Sequence, residues 1–426
     1  MQYPKNQSRL LQITTVGALV AALVAATPAP ADEVSELKAA VQALQKRIEQ
    51  LETQSKAVEE TNDHQTDQIA QVKNNVPAWV PNFTWKGDLR YRNETIDQQY
   101  VAERNRDRIR LRTGFVAKAN DTLKVEVGIS TAENGDPRSS NQTLTGENTR
   151  KSIYLDLAYA EWQPAAEWRF TFGKMKYPWQ RPGQSLFFDN DVNPEGLAVN
   201  YGQGMFFAST FYNQLEERAT AGESTMFGGQ VGLKPAVGPG QLTLAVGYFD
   251  FNSVQHRNPF YNNSSNGNTT TSLGCFPGQS PCLLNDYDII DAFAEYGLTL
   301  AGRPLVLFAD YALNDKAVNK LDTAYTAGFL YGKASNPHTW EFGYFYQHME
   351  KDALYGQYID SDFSGGNTDG EGHAFKLAYA FAKNWTLNTT YYLNKTNVDV
   401  PVAIAGVGPV FDRDYERLQV DLNFKF

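Results

Sequence analysis

The nine residues from Leu418 to Phe426, Leu-Gln-Val-Asp-Leu-Asn-Phe-Lys-Phe, alternate apolar and polar without a break and stop on an aromatic. That period belongs to a strand with one greasy and one wet face. The same alternation recurs along most of the chain, and stretches of helical period that could cover the greasy faces are few. Lipid is then a candidate cover.

Composition narrows the alternatives. No run beyond the first thirty residues is long and apolar enough to cross a bilayer as a helix, which excludes a helical membrane protein. A mean hydropathy of −0.46 is compatible with a transmembrane barrel, because lumen-facing polar residues dilute the average. A formal net charge of −10 argues against nucleic-acid binding, which needs a basic surface to neutralise phosphates.

The N-terminus has an export-signal layout. Lys5 and Arg9 precede a mostly apolar Leu10 to Ala26, and Ala29-Pro30-Ala31 supplies small residues before a cut ahead of Asp32. Residues 1–31 are therefore expected to be a signal peptide, with an uncleaved anchor as the competing reading. In an oxidising compartment Cys275 and Cys282 can pair across Phe-Pro-Gly-Gln-Ser-Pro, and metal binding by this lone pair is the weaker reading.

Residues 32–76 carry a different signal. Val34, Leu37, Val41, Leu44, Ile48 and Leu51 step by three and four, and the register continues through Ser55, Val58, Asn62, Gln65, Ile69, Val72 and Val76. This heptad seam predicts one coiled-coil helix, ended by Pro77, that needs a partner to bury its stripe. Either a second chain or the same chain can supply that partner, with Ser55, Asn62 and Gln65 weakening the middle of the seam.

From Phe83 the period becomes two. Phe83, Trp85, Leu89 and Tyr91 alternate with Lys86, Asp88, Arg90 and Arg92, and Ile109, Leu111 and Phe115 with Arg108, Arg110 and Arg112. Sixteen such segments lie between Phe83 and Phe426, an even number suited to a closed antiparallel transmembrane barrel over residues 77–426. Short links such as Lys383-Asn384 alternate with long polar ones such as 251–286, the pattern of turns at one rim and loops at the other. Trp85, Trp168, Trp340 and Trp385 open strands at the short-turn end, where an interfacial girdle belongs. Trp162 lies near that end too, but strict alternation points it inward, so a bulge or a displaced boundary is expected there. A soluble sandwich or propeller is the competing fold.

The leader, coiled coil, alternating strands and the segment Gly173-Lys-Met-Lys-Tyr-Pro-Trp with Arg181-Pro-Gly-Gln-Ser-Leu-Phe-Phe-Asp189-Asn-Asp191-Val-Asn-Pro-Glu195-Gly196 together resemble the outer-membrane porin family of Gram-negative bacteria. The terminal Phe426 resembles the signal read by the barrel-assembly machinery. The resemblance implies a water-filled pore for passive diffusion of small hydrophilic solutes or ions, an outer-membrane location with the helix in the periplasm, and a homo-oligomer, with three copies favoured over two. It also implies that the third long connection, carrying Arg181, Asp189, Asp191 and Glu195, folds inward as a constriction. Lys86, Arg90, Arg92, Arg108, Arg110 and Arg112, from two neighbouring strands, would line the wall opposite, and a transverse field with a modest anion preference follows. The bland alternative is that the loop acids are solvated or bind calcium, and the arginines pair with Asp88, Glu94 and Asp107.

No catalytic constellation is found. His64, His256, His338, His348 and His373 are scattered, with no His-x-x-x-His pair and no Gly-x-Ser-x-Gly elbow. His348, Glu350 and Asp352 gather at a strand end, followed by Asp360, Asp362 and Asp369, but the spacing fits no defined calcium loop, and a solvated loop is expected. No cofactor or metal is expected. The functional alternative to a pore is a plugged barrel that anchors the coiled coil as a tether.

Overall fold

The computed structural model describes residues 31–75, 80–219 and 222–426. The signal peptide, up to residue 30, and the end of the heptad seam with Pro77 lie outside the described residues. Two compact units result, divided after Val80.

The first unit contains α1, Ala31–Asn75. Its seam residues Val41, Leu44, Ile48, Leu51 and Val58 all face solvent, Leu44 with 63% of its surface open. α1 is the one long helix among the described residues. A coiled coil needs a second helix, and with one long helix among the described residues the expected coiled coil is not confirmed.

The second unit is a closed antiparallel barrel of sixteen long strands among the described residues. They are β1 Phe83–Gln98, β2 Arg104–Lys118, β3 Leu123–Thr131, β4 Ile153–Ala165, β5 Trp168–Lys174, β6 Glu195–Gln203, β7 Phe206–Glu216 and β8 Ser224–Leu233. The second half adds β9 Gly240–Asn252, β10 Tyr287–Leu300, β11 Arg303–Asn314, β12 Thr323–Gly332, β13 Thr339–Met349, β14 Gly370–Ala382, β15 Trp385–Thr396 and β16 Arg413–Lys425. Two-residue strands at Gln142–Thr143 and Ala236–Val237 extend the same sheet.

Closure is made by β1, which pairs with β2 on one edge and β16 on the other, so neither is left as an open edge. The main chain of Phe426 continues that pairing: Gly87 N–H donates to its carbonyl at 2.9 Å, and its N–H to the Gly87 carbonyl at 3.0 Å. The Phe426 ring lies where a side chain at position 87 would stand, which is why glycine is needed there.

Outward apolar and inward polar positions follow the alternation on β1, β2 and β16. β4 departs from it. Gly128 pairs with Leu157 but Ile129 with Leu155, so Asp156 is an extra residue and the strand changes phase. Beyond it Tyr159 turns inward, donating its hydroxyl to Glu126 at 2.7 Å, and Trp162 turns outward, 46% exposed. The inward orientation that strict alternation gives Trp162 is thus corrected by a bulge six residues earlier.

A second departure lies in the lumen. On β9 and β10 both faces carry large apolar side chains, with Phe249, Phe251, Tyr287 and Ile289 fully buried on the inner one. They meet two connections that fold inward. From loop 175–194 come Met175, Trp179, Phe187 and Phe188, and from loop 350–369 come Ala353, Leu354, Tyr355 and Ile359, in one cluster. Trp179 lies 4.6 Å from Phe211, 5.1 Å from Phe249 and 5.3 Å from Phe188 between ring centroids. Apolar burial of this kind pins the loops to the β6–β13 side and leaves the free space on the other.

Candidate functional site

The other side of the lumen is built by β1, β2 and β16. Their register sets like charges directly opposite, Arg90 against Arg110 and Arg92 against Arg108, which repel unless anions intervene. Three wall carboxylates intervene. Asp88 accepts from Arg110 Nη2 at 2.6 Å and Arg112 Nε at 2.9 Å. Asp421 takes Arg92 in a fork, Nε at 2.6 Å and Nη2 at 2.8 Å, with Arg90 at 3.6 Å. Glu94, with no exposed surface, accepts from Arg417 Nη2 at 2.6 Å, is bonded by Arg106, and has Arg108 at 3.7 Å. Bidentate guanidinium–carboxylate geometry makes these the strong kind of ion pair.

Two loop carboxylates complete the arrangement. Asp191 lies 3.1 Å from Arg112 and accepts from the N–H and hydroxyl of Ser140 at 2.9 and 2.8 Å. Asp362, from loop 350–369, lies 3.1 Å from Arg92 and 2.8 Å from Arg417. The loop acids therefore dock onto the arginine wall, instead of facing it across open space as the sequence suggests. The two readings of the arginines both hold in part: they pair with Asp88 and Glu94, and also with the loops. Asp107 instead accepts from Asn93 at 2.9 Å on the exposed side.

The remaining constriction-loop residues have other tasks. Asp189 stitches the two loops together, accepting from Ser361 N–H at 2.9 Å while its own N–H donates to the Tyr358 carbonyl at 2.7 Å. Arg181 braces its own loop, donating to the Phe188 carbonyl and to Asn190 Oδ1, with its guanidinium 4.7 Å from the centre of the Tyr177 ring. Glu195 does not join them. It opens β6, is exposed, and pairs with Lys174 at 2.7 Å. Lys86 pairs with Glu126 at 2.7 Å, away from the arginine cluster. Cys275 and Cys282 form a disulfide in the long connection before β10, with Cα atoms 5.6 Å apart.

Between wall and loops lies a cavity of about 350 Å³. Six cationic side chains line it, Arg90, Arg92, Arg110, Arg112, Arg138 and Lys376, and six carboxylates face them. The loop acids divide into two kinds. Burial alone would raise the Asp191 carboxyl, but Arg110 and Arg112, with the Ser140 amide, outweigh it and hold it at about 2. Buried Asp362 is likewise held far below the carboxylate range by Arg417 and Arg92. Asp189 goes the other way, pushed well above by burial and then by Asp360 and Asp191, and Asp360 is raised by burial and by Asp362. Asp191 and Asp362 therefore stay ionised, while Asp189 and Asp360 take up a proton more readily than free carboxylates do.

Sequence reasoning missed Asp362, Arg138 and Lys376, and with them the whole inward course of loop 350–369. The solvated loop expected there is corrected: Asp360 packs into the lumen, its N–H donating to the Leu186 carbonyl at 3.2 Å. The signal was present in Ala353-Leu354-Tyr355 and Tyr358-Ile359, apolar residues that a solvated loop has no reason to carry.

The sequence matches the family described as "Putative porin" over residues 97–277 and 290–426, well over half of the chain and nearly all of the barrel. The chain belongs to this porin family. One solved structure supports the fold, and others are more distantly similar. The high-pH structure of Pseudomonas putida OprB superimposes with a TM-score of 0.54 at 12% identity, covering 81% of this porin and 94% of OprB. Vibrio cholerae OmpT expressed in the outer membrane gives 0.45 at 11% identity, covering 81% and 97%. A triple mutant of Rhodopseudomonas blastica porin gives 0.44 at 10% identity, covering 81% and 100%. No curated protein matches the porin in sequence.

Proposed function

We propose that this porin is a non-catalytic diffusion channel for small hydrophilic solutes, with a modest preference for anions. The observation that carries the reading is the cavity of about 350 Å³ between a paired arginine wall and two docked loops. Its lining is mostly polar, with Leu186 and Tyr392 of a smaller apolar cluster at its edge, while the larger apolar cluster that narrows the lumen lies on the opposite wall. Polar lining admits hydrated solutes, and an arginine wall faced by acids that protonate more readily than free carboxylates favours anions. Exposed Trp85, Trp162 and Trp168 and the outward Leu and Tyr of β1, β14 and β16 support lipid contact in an outer membrane. The terminal Phe426, at the closing seam, suits delivery by the barrel-assembly machinery.

The exposed Val41, Leu44, Ile48, Leu51 and Val58 of α1 support self-association, which we read as a trimer with the helix in the periplasm. Single-channel recording of the purified full-length protein in a planar bilayer tests the reading. Stepwise conductance with three-level closures is expected, and a reversal potential in a KCl gradient on the anion side. Neutralising Arg108, Arg110 and Arg112 together to Gln should move that potential toward cations. An unmoved potential would remove the anion preference. Absence of steps would favour the second reading, a filled barrel tethering α1, which the extensive aromatic packing in the lumen supports.

A further inference from the structure

Away from the lumen, three side chains from three elements converge at the long-loop rim: His348 near the end of β13, Glu350 in loop 350–369, and Asp399 in the connection 397–412. One ligand atom from each, a ring nitrogen and two carboxylate oxygens, lies within 4.8 Å of the others. The grouping of His348 with Glu350 and Asp352 seen in the sequence changes one member. Asp352 turns inward, fully buried, and is consumed by Thr269, Tyr287 and Asn319. Asp399, forty-seven positions further along the sequence, takes its place.

Each of the three is aimed by a bond that leaves another donor atom free. His348 Nδ1 lies 3.1 Å from the Glu371 carboxylate, and the ring is stacked on Tyr325 at 5.1 Å, so Nε2 remains. Glu350 Oε2 accepts from the N–H and hydroxyl of Thr323 at 2.7 and 2.8 Å, so Oε1 remains. Asp399 Oδ2 accepts from Lys351 N–H at 3.1 Å, so Oδ1 remains. A carboxylate behind a histidine fixes its tautomer and raises its basicity as a ligand. Among the described residues, neither Glu350 nor Asp399 has a Lys or Arg within ion-pair distance, since Lys351 Nζ goes to Asp369 at 3.6 Å.

We propose that His348, Glu350 and Asp399 form a divalent-cation site of the zinc class, with Glu371 as the positioning residue of His348. One imidazole with two carboxylates suits Zn²⁺ over Ca²⁺ or Mg²⁺, which take oxygen ligands alone, and three protein ligands leave a position for water. Zinc bonds of about 2.0–2.2 Å set ligand atoms roughly 3.4 Å apart, so the three ligand atoms, now within 4.8 Å of one another, would draw closer around an ion. An ion there would pin the root of loop 350–369, whose far end docks on the arginine wall, to connection 397–412.

The test is titration of the full-length protein in detergent with ZnCl2, and separately with CaCl2, followed by calorimetry. One equivalent of Zn²⁺ is expected to bind, more tightly than Ca²⁺. His348→Ala and Asp399→Asn should each weaken it tenfold or more. The second is isosteric and keeps an acceptor for Lys351, so a folded barrel by circular dichroism is expected with it. Glu371→Gln should cost about tenfold, in the range for outer-shell partners of metal ligands, and Glu371→Asp should recover part of the loss. His373→Ala should change nothing, since its ring bonds Tyr344. Absence of a one-equivalent site, or Zn²⁺ uptake that both His348→Ala and Asp399→Asn retain, would overturn the assignment.

Discussion

The two walls of the lumen solve the same problem, holding loops inside a barrel, by opposite means. The β6–β13 wall does it with shape: Trp179, Phe187 and Phe188 sink among Phe211, Phe249 and Phe251. The β1, β2 and β16 wall does it with charge, seven arginines held by three wall carboxylates and by Asp191 and Asp362 from the loops. Apolar packing excludes water and closes its side, whereas ion pairs tolerate water and keep a cavity beside them. The division explains how a loop can be fixed firmly without sealing the channel.

Unpinning the apolar side should give the largest change. Trp179→Ala removes a contact worth about 3–5 kcal/mol in a packed core. Its loop should leave the wall, and single-channel conductance should rise several-fold with more noise. An unchanged conductance would mean that the charged wall alone holds the loop. On that wall the key residue is Glu94. Glu94→Gln removes the anion that Arg106, Arg108 and Arg417 share, leaving Arg417 with Asp362 and Arg108 with Glu133 at 3.8 Å, and removing one partner of a buried pair costs about 3–5 kcal/mol. A lower melting temperature with conductance largely kept is the expected result, and a melting temperature within a degree of the parent would contradict the ledger of pairs.

Smaller effects should sharpen the electrostatics. Asp362→Asn frees part of Arg92 and Arg417, so the reversal potential should move further toward anions, opposite to the arginine substitutions. The response to pH should be the mildest. Asp189 and Asp360 have raised values, so they take up protons as pH falls, while Asp191, held at about 2, and Asp362 stay ionised. Anion preference should therefore grow as pH falls, beginning above the ordinary carboxylate range, and a double Asp189→Asn, Asp360→Asn variant should flatten the curve. For stability the signs oppose. The contribution of Asp191 and Asp362 is full above their unfolded values and lost as pH falls through the folded ones. That of Asp189 and Asp360 is full at low pH and lost as pH rises through theirs.

Much of this was legible in the residues because strand alternation is local. The sixteen strands, the turn and loop rims and the arginine strip all follow from neighbours two positions apart. What was not legible depends on distance or on phase. Asp362 meets Arg92 across 270 positions, and nothing in either segment announces the other. β9 and β10 were read as having one wet face, although Tyr248-Phe-Asp-Phe carries aromatics of both parities. Trp162 was misassigned because Leu155 and Leu157 are both apolar, so an extra residue between them leaves no mark in the polarity pattern.

That extra residue, Asp156, acts on β4 as a half-cycle delay acts on a wave. Everything after it is the same sequence played out of step. A substitution at 156 would alter one side chain, but deleting it would remove the bulge and set Leu155 and Leu157 consecutively opposite Ile129 and Gly128, with Tyr159 and Glu161 still inward and Trp162 still outward. Counting residues thus matters more than choosing them at this point of the wall, and a one-residue deletion there should cost the hydrogen bond from Asn193 but need no compensating change in β3.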